Sequence, residues 1–104
     1  MKSITVTELK SWMDSNEDFQ LIDVREPYEN DICTLNGVLI PMNNVPAEFG
    51  QIDQNKKVVV HCRSGKRSAQ AVMLLEQEGF TNLSNLQGGI LAWKDAFDPE
   101  MEVY

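Results

Sequence analysis

Lys57-Val58-Val59-Val60-His61-Cys62-Arg63-Ser64-Gly65-Lys66-Arg67-Ser68 is the stretch on which the reading of this chain turns. Its Val-Val-Val core reads as a strand buried on both faces, the pattern of a central parallel strand. Ser64-Gly65 breaks that strand. From Arg67 onward, Ala69, Val72, Met73, Leu74 and Leu75 mark a helix, and Gly79 is placed to end it. A cysteine therefore stands between the end of an apolar strand and the start of a helix.

On either side of this unit, strands and helices alternate. Ser3 to Thr5 reads as a short strand, and Thr7 as the cap of a helix running to about Asn16 on Leu9, Trp12 and Met13. Phe19 to Val24 reads as a buried strand. Glu26 to Asn30 forms a short helical turn, because Pro27 suits a first turn and acids suit a helix N-terminus. Val38 to Ile40 is a strand stopped by Pro41, and Val45 to Phe49 a short helix. Leu83 to Leu86 is a weak strand. Gly88-Gly89 turns the chain into a helix over Ile90 to Phe97. The tail from Glu100 to Tyr104 carries no signal of its own. Alternation of this kind predicts an α/β fold, with a mostly parallel central sheet and helices on both faces. Sites in such sheets lie at the carboxyl ends of strands. That rule brings Asp23 and Arg25 to the same edge as Cys62.

The chain has 104 residues, with nine Lys and Arg against sixteen Asp and Glu, for a net charge of −7. Length and the lack of a linker predict one domain over residues 1–104. The acidic balance argues against nucleic acid or an anionic membrane as a partner. Two cysteines are too few for a disulfide scaffold, and the N-terminus lacks the apolar core of a signal peptide. A reducing cytoplasm with both thiols free is the expected setting. One His and two distant Cys make a structural zinc site a poor fit, so no metal is expected.

Cys62 has surroundings that change its chemistry. Backbone N–H groups in a strand–loop–helix turn can converge on an anion, and the helix N-terminus adds partial positive charge. Arg63, Lys66 and Arg67 bring three of the nine cations within five residues. Each of these effects favours thiolate over thiol. Gly65 lets the backbone turn tightly around the sulfur. The plainer alternative is a buried cysteine followed by a solvated basic turn. His61 is tempting as a base, but neighbouring side chains on a strand point to opposite faces. It is therefore read as packed away from Cys62.

Three segments resemble a single-domain rhodanese, a sulfurtransferase module. They are Leu21-Ile22-Asp23-Val24-Arg25-Glu26-Pro27-Tyr28-Glu29, Val58 to Ser68, and Leu86-Gln87-Gly88-Gly89-Ile90-Leu91-Ala92-Trp93. They follow the family's order and spacing over nearly the whole chain. The resemblance implies that Cys62 accepts sulfane sulfur from a donor such as thiosulfate and becomes a persulfide. An acceptor then attacks the outer sulfur: cyanide in the test tube, a thiol or a sulfur-relay protein in the cell. It implies that the N–H groups from Arg63 through Ser64, Gly65, Lys66 and Arg67 to Ser68 cradle the sulfur, and that Asp23 and Arg25 fix the loop. No organic cofactor is implied. Gly88, Gly89 and Trp93 read as fold residues.

Two other functions compete. Dual-specificity phosphatases and arsenate reductases resemble this architecture, with a loop one residue longer between Cys and Arg that makes room for a tetrahedral oxyanion. The shorter loop here suits a single sulfur atom. A non-catalytic rhodanese-like binding module usually lacks the Cys that this chain keeps. The chain departs from the family at Asp31 to Gly37, where Gly-His-Ile and Pro-Gly-Ala are replaced by Cys33-Thr34-Leu35 and Asn36-Gly37-Val38. Cys33 is then either a resolving thiol for a Cys62 persulfide or a small residue filling a glycine-sized space.

Overall fold

The Val-rich strand is the middle of the sheet. In the computed structural model, which describes residues 1–104, β4 (Lys57–His61) pairs in parallel with β2 (Phe19–Asp23) and β5 (Leu83–Leu86). Strand β1 (Lys2–Ile4) lies outside β5, and β3 (Val38–Leu39) outside β2. The order is β1-β5-β4-β2-β3, and every pair is parallel. Parallel neighbours need crossovers. These are supplied by α1 (Val6–Asp14), α2 (Pro27–Ile32), α3 (Val45–Glu48) and α4 (Lys66–Gln77), with 3-10 turns on either side of α3, while α5 (Gly89–Phe97) follows the last strand.

Alternation along β4 sorts the core into two layers. Val58, Val60 and Cys62 join Ala71, Val72 and Leu75 of α4 and Val45 of α3 on one face. Val59 joins Ile4, Leu9, Leu21 and Leu86 on the other, where Trp12 and Trp93 of α1 and α5 pack. Helices thus cover both faces, as expected. Each fully buried Val or Leu contributes about 1.5–3 kcal/mol, so this double burial fixes the position of β4. No helix is long and apolar enough to cross a membrane.

Several boundaries differ from the sequence reading. The cap of α1 is Thr5, not Thr7. Its hydroxyl accepts the Glu8 N–H at 3.1 Å while Glu8 accepts the Thr5 N–H at 3.1 Å, a reciprocal box that Thr7 cannot form from inside the helix. Helix α4 starts at Lys66 because Gly65, at φ +108°, turns the chain directly into it. Helix α5 starts one residue early, at Gly89. Leu83–Leu86 and the Phe97 end of α5 fall where expected.

Candidate active site

The register pairs Asp23 with His61, so β2 and β4 end level with each other. Their following turns form one edge of the sheet. Cys62 is the first residue past β4, and it is 1% exposed. The Gly65 N–H donates to its sulfur at 3.1 Å, and the Ser68 hydroxyl stands 3.4 Å away. Burial pushes this thiol up. Hydrogen bonds from the Ser68 hydroxyl and from the Ser68, Gly65 and Ser64 N–H groups outweigh burial and hold it below its ordinary value.

A loop whose N–H groups face inward turns its carbonyls outward, and those need partners too. The start of α5 supplies them. The Ile90 N–H donates to the Cys62 carbonyl at 3.0 Å and the Leu91 N–H to the Arg63 carbonyl at 3.1 Å. Gly89 permits the approach: a Cβ there would sit 2.4 Å from the Arg63 oxygen and 2.6 Å from the Cys62 oxygen. The sequence reading took Gly89 for a simple turn residue. Its position at the loop shows that it also sets how the loop is backed.

Asn85 of β5 supports the loop from beneath. Its Nδ2 donates to the Gly65 carbonyl at 3.2 Å, which turns its Oδ1 toward the Ser68 hydroxyl, 2.5 Å away. That hydroxyl has one proton and two acceptors, Asn85 and the sulfur. Beside a thiol it can donate to Asn85 while accepting from S–H. Beside a thiolate it can turn to the sulfur.

The cations are less free than their spacing suggested. Arg67 forms a two-pronged pair with Glu29 of α2, Nη1 to Oε1 at 2.6 Å and Nη2 to Oε2 at 2.8 Å. Arg63 turns its Nε and Nη2 onto the main-chain oxygen of Tyr104. Lys66 is exposed. Hydrogen bonds therefore lead in stabilising the thiolate, ahead of the three cations that the sequence placed beside them. Ser64 lies exposed at the rim.

Asp23 and Arg25 form a fully buried ion pair at 2.8 Å. Arg25 also donates to the Cys33 carbonyl at 2.7 Å, to the Tyr104 hydroxyl at 3.0 Å and to the Cys33 sulfur at 3.6 Å. It reaches the loop through Tyr104 and through Glu29, whose carbonyl accepts from it at 3.3 Å, and not directly. The buried His61 ring meets the Cys62 carbonyl through Nδ1 at 3.3 Å and lies 3.9 Å from Asp23, with Nε2 unpartnered. Burial pushes its pKa down, so it is neutral at pH 7. It makes no hydrogen bond to the sulfur.

Three site residues escaped the sequence reading: Glu29, Asn85 and Tyr104. Glu29 is 2% exposed, and the Arg67 guanidinium holds its carboxyl down at about 2. The Tyr104 hydroxyl donates to Glu29 at 2.6 Å. Burial and that bond push the phenol up to about 12, so it keeps its proton. The tail, which carried no signal, thus ends on the site. An acid within a family motif was the available clue for Glu29. Nothing local marked Asn85 or Tyr104. No cluster of three or more His, Cys, Asp or Glu stands ready to hold a metal ion.

Comparison with known proteins follows the same lines. The chain is 39% identical to a probable adenylyltransferase/sulfurtransferase of Mycobacterium tuberculosis, over 98% of its own length and 27% of that protein's. It thus spans about a quarter of that relative. It is 36% identical to a sulfurtransferase of Allochromatium vinosum, covering 89% of this chain and 88% of the other. A rhodanese-like domain protein of Staphylococcus aureus superposes with a TM-score of 0.84 at 34% identity, over 100% of this chain and 99% of that one. Residues 5–96 match the rhodanese-like domain family, and with that match, these relatives and the shared fold, this chain belongs to the rhodanese-like family.

Proposed function

We propose that the chain is a sulfurtransferase that carries sulfane sulfur as a persulfide on Cys62. The donor is thiosulfate or a similar small molecule. The acceptor is a thiol, including that of a sulfur-relay protein. The observation that carries this reading is the convergence of the Gly65 N–H and the Ser68 hydroxyl on one buried sulfur whose pKa is lowered. Relatives named as sulfurtransferases support it.

In the first half-reaction the Cys62 thiolate attacks the outer sulfur of thiosulfate. A new S–S bond forms, the old one breaks, and sulfite leaves with the electron pair. The persulfide's terminal sulfur is an anion that the same N–H donors can hold. In the second half-reaction an acceptor thiolate attacks that terminal sulfur and Cys62 leaves as thiolate, the pattern of thiol–disulfide exchange. A low thiol pKa helps this step, because Cys62 is then the leaving group. Ser68 can follow the charge by moving its single proton between Asn85 and the sulfur.

The engagement of Arg67 counts against the phosphatase or arsenate-reductase reading. Both of its Nη atoms are bound to Glu29, so the guanidinium is not free to clasp a tetrahedral oxyanion. The test is turnover of thiosulfate and cyanide by wild type and Cys62→Ser. Thiocyanate formation by wild type alone, with a gain of one sulfur atom on Cys62 that a thiol reverses, is the expected result. Equal thiocyanate from both proteins would refute the mechanism. Hydrolysis of phosphate esters with no use of thiosulfate would favour the alternative. A protein that gains no sulfur would be a binding module.

A further inference from the structure

A nucleophile at 1% exposure cannot meet its donor without some part of the structure moving. The three cavities of the molecule lie elsewhere, none of them lined by Cys62. Tyr104 touches both rims of the sulfur loop. Its main-chain oxygen sits in the Nε and Nη2 fork of Arg63, the residue next to Cys62. Its hydroxyl is bound to Glu29, which in turn holds Arg67 at the far end of the loop. Its ring centre lies 5.1 Å from the Arg63 guanidinium and 5.9 Å from that of Arg25.

The chain has the reach for this. Helix α5 starts against the loop and carries the chain about 12 Å away at 1.5 Å per residue. The segment from Asp98 to Tyr104 can extend about 23 Å. A turn at Asp98–Met101 and a Lys94 bond to the Pro99 carbonyl send it back.

We propose that Tyr104 is a resident ligand of the sulfur site: its oxygen occupies an oxyanion subsite on Arg63, and an anionic thiosulfonate-type donor must displace it to reach Cys62. An Arg fork offers two parallel N–H groups to one oxyanion, the geometry best suited to a sulfonate or carboxylate. The tail oxygen takes the place that an oxygen of the donor takes once the tail leaves. The phenol is the latch, since its hydrogen bond to an ionised Glu29 holds the segment closed. This rests on the sulfurtransferase reading for the donor's identity, but not for the displacement itself.

The test compares two reagents that alkylate Cys62 with loss of iodide, neutral iodoacetamide and anionic iodoacetate, with the label located on Cys62 by peptide mass. Their rate ratio cancels any change in thiolate fraction or general loosening. Tyr104→Ala is expected to speed both reactions and to raise the iodoacetate-to-iodoacetamide ratio. Loss of a charged hydrogen bond sets the scale of the rise in rate, at roughly tenfold. Tyr104→Phe, which keeps ring and backbone, should move both quantities the same way by less. Arg63→Gln added to Tyr104→Ala should abolish the rise in ratio.

Wild-type rates in both Tyr104 variants would overturn the proposal. So would a rise equal for the two reagents, or a raised ratio that survives Arg63→Gln, because Arg63 would then not be the subsite. A lowered KM for thiosulfate in Tyr104→Ala is the matching kinetic result. If no variant turns over thiosulfate while the alkylation pattern holds, the sulfurtransferase reading fails and the oxyanion subsite stands.

Discussion

The chain's two cysteines are both buried, both free and both placed just beyond a regular element, yet they share almost no polar environment. Cys62 follows a strand and precedes the N-terminus of α4, where N–H groups are in excess. Cys33 caps the C-terminus of α2, where carbonyls are in excess, and its own N–H is spent on the Glu29 carbonyl at 3.2 Å. The Cys62 sulfur collects a backbone N–H and a hydroxyl. The Cys33 sulfur has one long contact to Arg25, a cation already bound to Asp23. Burial alone therefore does not prepare a cysteine for chemistry. What counts is which ends of the surrounding peptides point at the sulfur.

The sharpest way to break the difference is to dislodge what backs the Cys62 loop. Gly89→Ala places a Cβ within 2.6 Å of two loop carbonyl oxygens, at a φ of +58°. Those oxygens are backbone and cannot rotate aside. The expected cost is about 3 kcal/mol or more, read by urea denaturation, with Cys62 alkylation slowed as its donors move. Gly50→Ala meets nothing within 4 Å and serves as the comparison. It should stay within about 0.5 kcal/mol of wild type. Equal effects from both would show that the α5 contact does not hold the loop.

Glu29→Gln acts from the opposite wall. It removes the charge from the Arg67 pair and is expected to cost about 2 kcal/mol at neutral pH, the scale of charged hydrogen bonds. The pH dependence has a definite sign. The Glu29 carboxyl is lowered from 4.5 to about 2. Its contribution is therefore fully present above pH 4.5 and is lost as pH falls through about 2. Stabilities of wild type and Glu29→Gln measured from pH 7 downward should converge in that window. A constant gap would show that the carboxylate's charge is not what matters.

How much of this was legible beforehand follows from range. Strand β4, its loop and α4 are contiguous, so hydrophobic runs and one glycine disclose them. The parallel sheet follows from the alternation of short apolar runs. The boundary at Thr5 was missed because a reciprocal cap depends on the pairing of Thr5 with Glu8, not on the presence of a threonine. The site's other contributors are distant: Glu29 lies 38 residues from Arg67, Asn85 17 from Ser68, and Tyr104 75 from Glu29. Which donors remain free to act on the sulfur is decided by those pairings. The three cations were visible in sequence. That two of them are already engaged was not.

Within the Cys62 turn, Ser68→Ala should have a smaller effect. It deletes the hydroxyl that first counteracts burial, and leaves the Gly65 N–H in place. The pH at which iodoacetamide begins to react with Cys62 should rise, because the thiolate loses one of the hydrogen bonds that favour it. Wild type should react at a pH below the ordinary thiol range. An unchanged profile in Ser68→Ala would mean that the hydroxyl stays with Asn85 and never turns to the sulfur.

The smallest effect is expected at Cys33. Cys33→Ala removes one 3.6 Å sulfur contact from Arg25 Nη1, which keeps the Tyr104 hydroxyl, while Nε and Nη2 keep Asp23 and the Cys33 carbonyl. A buried methylene-sized loss in that setting costs about 1 kcal/mol or less. The alkylation profile of Cys62 should not move, because none of its sulfur's donors touches Cys33. Mild oxidation followed by mass spectrometry separates this packing role from a resolving one. A filler cysteine beside a committed arginine should yield no intramolecular disulfide, and persulfide on Cys62 should be cleared by added thiol at the same rate in wild type and Cys33→Ala. A Cys33–Cys62 disulfide, or slower clearance in the variant, would mean that the two cysteines work together despite their opposite surroundings.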